Sequence, residues 1–234
     1  MPLNLNTRRS LLGSADRYWA VQFNATNTVI NHGSDAAIDD LHDNAFTVEM
    51  WRQWSGSTWS HLIAKGIFGT HGWEIRVRDP SLAPNAFVFC ATTHAESWAA
   101  AQYLGDKAWH HIVMFYDDAG DRKIYLAMDG QWASSYSAQT AGVGAIQTDA
   151  ANSLLVGKII WASPGMMGWY RISNNDRYNH GVNFTPPPRG QPPESDANTI
   201  LLCPLNEGTG TTIDNAEGTA ALDGTLSNGT WIKT

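Results

Sequence analysis

Hydrophobic and polar residues alternate with a period of two along most of the chain. At residues 73–78, apolar positions 73, 75 and 77 alternate with Glu74, Arg76 and Arg78, which predicts a half-buried antiparallel strand. The same interpretation applies to nine further segments: 19–23, 46–51, 61–65, 87–91, 109–116, 123–128, 154–159, 166–172 and 200–205. Several of them are apolar on both faces, and we expect those at the centre of a sheet.

Turn-forming residues separate these segments, as in DDAGD at 117–121, DG at 129–130 and SPG at 163–165. Nowhere does an apolar stripe with helical spacing persist for the roughly 10–12 residues of a long helix, and only 35–44 and 95–104 fit a short one. Many short strands with frequent turns predict an all-β chain that folds as a two-sheet antiparallel sandwich.

Two segments depart from the strand pattern. Residues 184–194 contain five of the ten prolines, and because proline has no backbone donor we expect a crossover over the surface. Residues 1–18 contain Arg8, Arg9 and Arg17 with little apolar periodicity, which predicts an N-terminal arm that docks onto a neighbour. The remainder, 19–234, is expected to form one domain.

Charge and composition exclude two classes of partner. The chain has 15 Lys and Arg against 22 Asp and Glu, and charged residues make up 16% of it, below the roughly 25% of an ordinary globular chain. The basic residues form no stripe that could neutralise phosphates, so we expect no nucleic-acid binding. No apolar run approaches the ~18 residues of a membrane span and the first residues do not resemble a signal peptide, so we expect cytoplasmic synthesis without membrane association.

The two cysteines, Cys90 and Cys203, each lie in an apolar, strand-like run. A buried reduced thiol is the ordinary state of cysteine in a protein made in the cytoplasm. The sequence leaves open whether the two residues form a disulfide.

Motifs for catalysis are missing from the sequence. Only Glu49 and Glu74 lie inside predicted strands, so no strand carries the alternating carboxylates of a glycosidase. Glu74 shares a face with Arg76 and Arg78, and we expect it to form a solvated or cross-strand ion pair. G-x-S-x-G, P-loop and G-x-G-x-x-G motifs are absent. His110 and His111 are expected on opposite faces of one strand and cannot bind zinc together. We therefore predict a chain that is not an enzyme.

Eleven tryptophans are an unusually large number for a chain of this length. Exposed aromatic rings stack on sugars and anchor protein interfaces, whereas buried ones fill the core. We assign Trp73, Trp109 and Trp169 to the core. The aromatic residues that we predict to contact a ligand or an interface are Trp54, Trp59, Trp98 and Tyr103.

Several stretches, taken in order, resemble the laminin-G-like jelly-roll (concanavalin A-like lectin/glucanase) family. They are WAVQF at 19–23, AFTVEMW at 45–51, WHHIV at 109–113, IYLAMDG at 124–130, LLVG at 154–157, GWYRIS at 168–173, LNEGTGTT at 205–212 and LDGTL at 222–226. In many relatives the last two stretches lead the domain, whereas here they end it. We expect them to complete the sheets beside the first strand.

The resemblance implies a concanavalin A-like sandwich that binds and does not catalyse. It is similar to single-domain members found in bacteriophage virions, which implies a capsid decoration or tail-associated protein on the virion surface that docks through its arm and self-associates. The partners expected are therefore virion proteins and further copies of the chain. The alternative is a lectin-like module that binds glycans.

The resemblance also implies Ca²⁺ as the cation that such a domain could hold, although none is required. Calcium takes six to eight oxygen ligands from carboxylates, amides and carbonyls. The candidate ligands are Asn24 and Asn27 in the first turn and Asp214 and Asn215 in the last segment. The acidic run Asp35, Asp39, Asp40 and Asp43 is a further source of ligands.

Overall fold

The structure is a computed structural model that describes residues 18–55, 59–67, 69–77 and 107–234, together with the strands at 87–92 and 97–102. Within these residues, two antiparallel sheets pack face to face and enclose the core. The predicted two-sheet sandwich is confirmed. No helix of the described part is both long and apolar enough to span a membrane.

One sheet has eight strands in the described part of the chain. Along it the strands run in the order β10, β9, β8, β3, β13, β1 and β17, and β14 also pairs with β13. Their bounds are β1 Trp19–Phe23, β3 Phe46–Trp54, β8 Trp109–Tyr116, β9 Ile124–Met128, β10 Gln131–Trp132, β13 Gly165–Ser173, β14 Thr199–Cys203 and β17 Thr230–Lys233.

The other sheet has nine strands among the described residues, in the order β11, β7, β6, β5, β4, β12, β2, β16 and β15. Their bounds are β2 Val29–Asn31, β4 Ser60–Ile67, β5 His71–Val77, β6 Phe87–Thr92, β7 Ser97–Gln102, β11 Ala138–Thr140, β12 Leu154–Gly157, β15 Thr212–Ile213 and β16 Gly224–Ser227. The described residues include two 3-10 helices, at Leu41–Asp43 and Ala220–Leu222.

The short helix that the sequence suggested at 95–104 is wrong, because 97–102 forms strand β7. β7 pairs with β6 along its whole length and with β11 on its other side. The run of alanines in this segment favours a helix by intrinsic propensity, but pairing inside a large sheet overrides that preference.

The last segment of the chain contributes to both sheets. β16 pairs with β2 in the nine-stranded sheet, and β17 pairs with β1 in the eight-stranded sheet. Tyr18 and Thr234 continue the second pairing with reciprocal backbone hydrogen bonds. The stretches that lead the domain in many relatives therefore occupy positions beside the first strands.

Strand β3 is buried on both faces. Phe46, Val48 and Met50 alternate into the core between the sheets, whereas Glu49 and Trp51 lie on the outer face. This outer face is covered by residues 174–198, which we call the crossover segment. Trp51 donates its indole N–H to Pro187 O at 2.9 Å, and Trp169 donates to Pro188 O at 3.1 Å.

The covered face explains where the predicted core tryptophans lie. Trp73 packs in the core between the sheets. Trp169 is fully buried, but beneath the crossover segment and not between the sheets. Trp109 is half-buried, with the Arg189 guanidinium 4.4 Å from its ring. Assigning Trp109 to the core was therefore wrong, since it lies at the start of β8, half-buried beside Arg189 of the crossover segment.

Glu49 lies at the centre of a buried network under the crossover segment. Its Oε1 accepts from Arg171 Nε at 2.7 Å, and its Oε2 accepts from Tyr178 at 2.6 Å and faces His111 Nε2 at 2.9 Å. Burial alone would raise the pKa of Glu49, but the hydrogen bonds from His111 and Tyr178 and the charges of His111 and Arg171 outweigh it. The pKa of Glu49 therefore lies below its usual value.

Cys203 is a free thiol, buried at the end of β14. It lies beside the Tyr170 hydroxyl, and burial raises the pKa of this thiol far above its ordinary value. The structure therefore describes Cys203 without a disulfide, whereas the side chain of Cys90 lies outside the described residues.

We expect Glu49→Gln to lower the free energy of unfolding by about 3–5 kcal/mol at pH 7, because Arg171 would stay buried without its counter-charge. A carboxylate with a depressed pKa stabilises the fold above its unfolded pKa and loses that contribution as the pH falls through the folded pKa. The difference between wild type and E49Q should therefore shrink as the pH falls below about 4. Urea titrations at neutral and acidic pH measure this difference.

The matched control is Lys123→Met, which removes an exposed ion pair with Asp121. Exposed pairs contribute roughly 0–1 kcal/mol, so this variant should remain close to wild type at both pH values. A difference between wild type and E49Q that is small at neutral pH, or that grows with acidification, would contradict the assignment of Glu49 as the buried counter-charge.

Candidate functional site

The candidate site lies on the outer face of the nine-stranded sheet, on strands β4 and β5. Because Trp73, Ile75 and Val77 point into the core, the alternate residues Glu74 and Arg76 lie on the outer face. They form an ion pair with each other. The solvated or cross-strand pair expected for Glu74 is wrong, because its partner is on the same strand and the pair is buried.

A β-bulge in strand β4 brings a histidine to this face. The register between β4 and β5 shifts between His61 and Ile63, so that Leu62 and Ile63 both reach the core. His61 pairs with Arg76 in the register and lies with it on the outer face. Its Nε2 is 3.3 Å from Glu74 Oε2, and both side chains are about 1% exposed. Bulges commonly re-aim a side chain in this way.

Two tryptophans cover the buried charges. Trp161, in the loop after β12, stacks on His61 with ring centroids 5.0 Å apart and planes inclined by 16°. Trp59, just before β4, lies 6.3 Å from Trp161 with the rings inclined by 28°. The Arg76 guanidinium lies 5.5 Å from the Trp59 ring and 5.3 Å from the Trp161 ring. We call these five residues the outer patch: Trp59, His61, Glu74, Arg76 and Trp161.

The outer patch combines a flat apolar surface with fixed polar groups. The Trp161 residue is 39% exposed, whereas the Glu74 side chain is 1% exposed and that of Arg76 is 12% exposed. Cation–π contacts and the ion pair hold the guanidinium in one orientation. Such a surface can stack against a ring that has an apolar face and can hydrogen-bond the polar groups at that ring's edge.

The structure places the aromatic residues that were predicted to contact a ligand in different environments. Trp59 belongs to the outer patch. Trp54 does not reach the surface: it is 7% exposed, packs in the core and donates its indole N–H to Ser60 Oγ at 2.9 Å. The prediction of a surface role for Trp54 was wrong because strand β3 runs to residue 54, beyond the predicted end at 51, and Trp54 continues its inward alternation.

The other two predicted aromatics are less fully described. Trp98 occupies a register position on β7 opposite Ala91 of β6, which in turn lies opposite Glu74. Tyr103 lies outside the described residues, as do Arg8, Arg9 and Arg17 of the predicted docking arm.

Sequence reasoning missed Trp161 and His61. The segment 154–159 was interpreted as one strand, but β12 ends at Gly157, whose φ of 99° is left-handed backbone. The following residues form a loop that carries Ile160 and Trp161 outward. The available signal was a glycine inside an apolar run, which often ends or bends a strand.

The asparagines proposed as calcium ligands close turns within the protein. Asn24 Oδ1 accepts backbone N–H groups of Thr26 and Asn27 at 2.9 and 2.8 Å, and Asn24 Nδ2 donates to Asn27 Oδ1 at 3.0 Å. In the last segment, Asn215 Oδ1 accepts from Leu202 N at 3.2 Å, while Asp214 N donates to Glu207. Calcium binding at these four residues stays a prediction.

Comparisons with known proteins agree with this architecture. The family model that describes the concanavalin A-like lectin/glucanases superfamily (Laminin_G_3) matches residues 17–178, more than two thirds of the chain. No curated protein matches the sequence.

Similar solved structures include a Bacteroides ovatus protein described as a "putative carbohydrate binding protein", with a TM-score of 0.63 at 16% identity. The match covers 93% of this chain but 60% of that one, so this chain is similar to only part of the other protein. Domains LG4-5 of the mouse laminin alpha1 chain match at a TM-score of 0.46 and 12% identity, over 74% of this chain and 48% of that one. By the family match, with the fold in agreement, the chain belongs to the concanavalin A-like lectin/glucanases superfamily.

Proposed function

We propose that the chain is a non-catalytic binding module that takes a carbohydrate at the outer patch. The observation that carries the proposal is the exposed Trp161 indole, stacked on His61 and beside the buried Glu74–Arg76 pair. Pyranose rings have an apolar face of C–H groups and a polar rim of hydroxyls. The stacked indole can pack against the C–H face, and the guanidinium and carboxylate can hydrogen-bond the hydroxyl rim.

The orientation of the polar groups favours binding. Arg76 and Glu74 are already desolvated and ordered by one another and by the indoles, so a ligand would not have to order them. Pre-organisation of this kind lowers the entropy cost of association. The membership of the chain in a superfamily that includes lectins, and its likeness to a protein described as carbohydrate binding, support the same ligand class.

Catalysis is not part of the proposal. Hydrolysis by a retaining glycosidase uses two carboxyl groups ~5–5.5 Å apart, and by an inverting one two groups ~6.5–9.5 Å apart. The outer patch has a single carboxylate, Glu74, and its charge is already balanced by Arg76. The patch is therefore suited to holding a sugar and not to cleaving one.

The virion role remains a separate prediction that is compatible with sugar binding. Residues 1–17 of the predicted docking arm lie outside the described residues. Mass spectrometry of purified particles tests this role, and a chain found only free and monomeric would count against it.

We expect Trp161→Ala to weaken binding of the preferred glycan roughly ten- to one-hundredfold, because burial of one large aromatic face contributes about 1.5–3 kcal/mol. A glycan array first identifies the ligand, with and without chelator so that a cation requirement is seen. Isothermal titration calorimetry then compares the variant with wild type.

The control is Trp132→Ala, a half-buried tryptophan on the other sheet, which should leave the affinity unchanged. Two results would contradict the proposal: no binding to any glycan on the array, with or without chelator, or equal glycan affinity of W161A and wild type.

We expect Arg76→Met to weaken glycan binding and also to destabilise the fold by about 3 kcal/mol, since Glu74 would stay buried without its guanidinium partner. Calorimetry and urea unfolding measure the two effects on the same preparation. Lys158→Met, which removes an exposed cation from the same loop as Trp161, serves as the control and should change neither quantity. A stable R76M variant with normal affinity would show that the guanidinium is not part of the site.

A further inference from the structure

A second cluster of polar side chains lies away from the outer patch, where the loop after β2 meets the loop before β12. It consists of Asp40, His42 and Asp149, which we call the loop cluster. One ligand atom from each of the three lies within 4.8 Å of the others. His42 and Asp149 are fully buried, and Asp40 is half-buried.

Asp149 uses only one of its carboxylate oxygens for hydrogen bonds within the described residues. Its Oδ1 accepts from Asp40 N at 2.9 Å and lies 3.1 Å from Lys65 Nζ. Its Oδ2 is buried, receives no hydrogen bond there and faces His42 Nδ1 at 3.6 Å. A buried carboxylate oxygen in this state is costly to maintain, which calls for a positive group at this point.

The partner of the other imidazole nitrogen fixes the state of His42. Its Nε2 lies 3.1 Å from Gln147 O, and because a carbonyl only accepts, Nε2 carries the proton. In that tautomer Nδ1 presents a lone pair toward Asp149 Oδ2, 3.6 Å away. Two acceptor atoms that face one another in a buried site are arranged as metal ligands.

The charges around the loop cluster are unbalanced. Lys65 is fully buried, and its ammonium lies 2.7 Å from Asp39 Oδ1 as well as 3.1 Å from Asp149 Oδ1. Asp39, Asp40 and Asp149 together carry three negative charges against the single positive charge of Lys65. A bound cation would reduce this excess of negative charge.

We propose that Asp40, His42 and Asp149 bind a divalent first-row transition metal, with Zn²⁺ as the probe. Two ligand atoms at about 2.0–2.2 Å from one tetrahedral ion lie roughly 3.3–3.6 Å apart, which agrees with the 3.6 Å between His42 Nδ1 and Asp149 Oδ2. The imidazole ligand distinguishes this site from the all-oxygen sites of calcium. Asp40 opens the cluster to solvent, and water would complete the coordination.

The bound metal would join two loops that are more than one hundred residues apart. Asp40 and Asp149 already exchange reciprocal hydrogen bonds, from Asp40 N to Asp149 Oδ1 at 2.9 Å and from Asp149 N to Asp40 Oδ1 at 2.8 Å. The ligands are therefore held in place before the ion arrives. The role that follows is structural, independent of the sugar site, and visible as stabilisation by the metal.

The test is titration of the chelator-treated full chain with Zn²⁺ by calorimetry and thermal unfolding. We expect one ion per chain and a rise in Tm. Loss of a direct ligand in His42→Gln or Asp149→Asn should weaken binding at least about a hundredfold, beyond the 10–100-fold effect of outer-shell changes. The matched control is His180→Gln, because His180 forms an exposed pair with Asp176 that should not contribute.

Asp149→Asn also alters the contact with Lys65, so circular dichroism must show that the variant folds. X-ray absorption of the zinc-loaded wild type gives a second readout that needs no variant, and nitrogen and oxygen ligands without sulfur are expected. Absence of Zn²⁺ binding, binding as tight in H42Q as in wild type, or binding lost only in H180Q would each overturn the proposal.

Discussion

The buried carboxylate of Glu49 is the interaction on which the arrangement of the outer faces depends. Glu49 lies on β3 and receives partners from three other places: β13 supplies Arg171, β8 supplies His111 and the crossover segment supplies Tyr178. A carboxylate buried on a sheet surface requires such partners, since its desolvation costs several kcal/mol. Satisfying Glu49 therefore fixes the crossover segment over the eight-stranded sheet and makes that face unavailable to a ligand.

The consequence is that the two outer faces of the sandwich differ. The eight-stranded sheet carries its aromatic residues under a proline-rich cover, with Trp51 and Trp169 both hydrogen-bonded to that cover. The nine-stranded sheet presents Trp161 to solvent above a buried ion pair. The same residue types, an arginine, a glutamate, a histidine and tryptophans, hold a segment of the chain on one sheet and form a candidate ligand surface on the other.

The period of two was enough to predict the strands and the shared face of Glu74 and Arg76. It could not show which face would be covered, because β3 is apolar and polar on alternate positions yet buried on both sides. Only the crossover segment, more than one hundred residues later, decides that. Trp54 was misplaced and Trp161 was missed for a related reason. The exposure of each depends on where a strand ends, and strand ends are set by glycine conformation and by distant pairing. The loop cluster joins residues 40 and 149, and no local pattern connects them.

Several of the few charged residues in the chain are buried in the fold and paired there. Glu49, Lys65, Glu74, Asp149 and Arg171 are all less than 5% exposed, and each meets an opposite charge. Replacing such pairs with apolar residues is often neutral for stability, whereas leaving one partner alone costs roughly 3–5 kcal/mol. An apolar jelly-roll core tolerates strand registers that differ by two residues, since the inward face stays apolar. A shift of β13 against β3 would separate Arg171 from Glu49. The Glu49–Arg171 pair therefore favours one register of β13 against β3 among several that hydrophobic burial alone would accept.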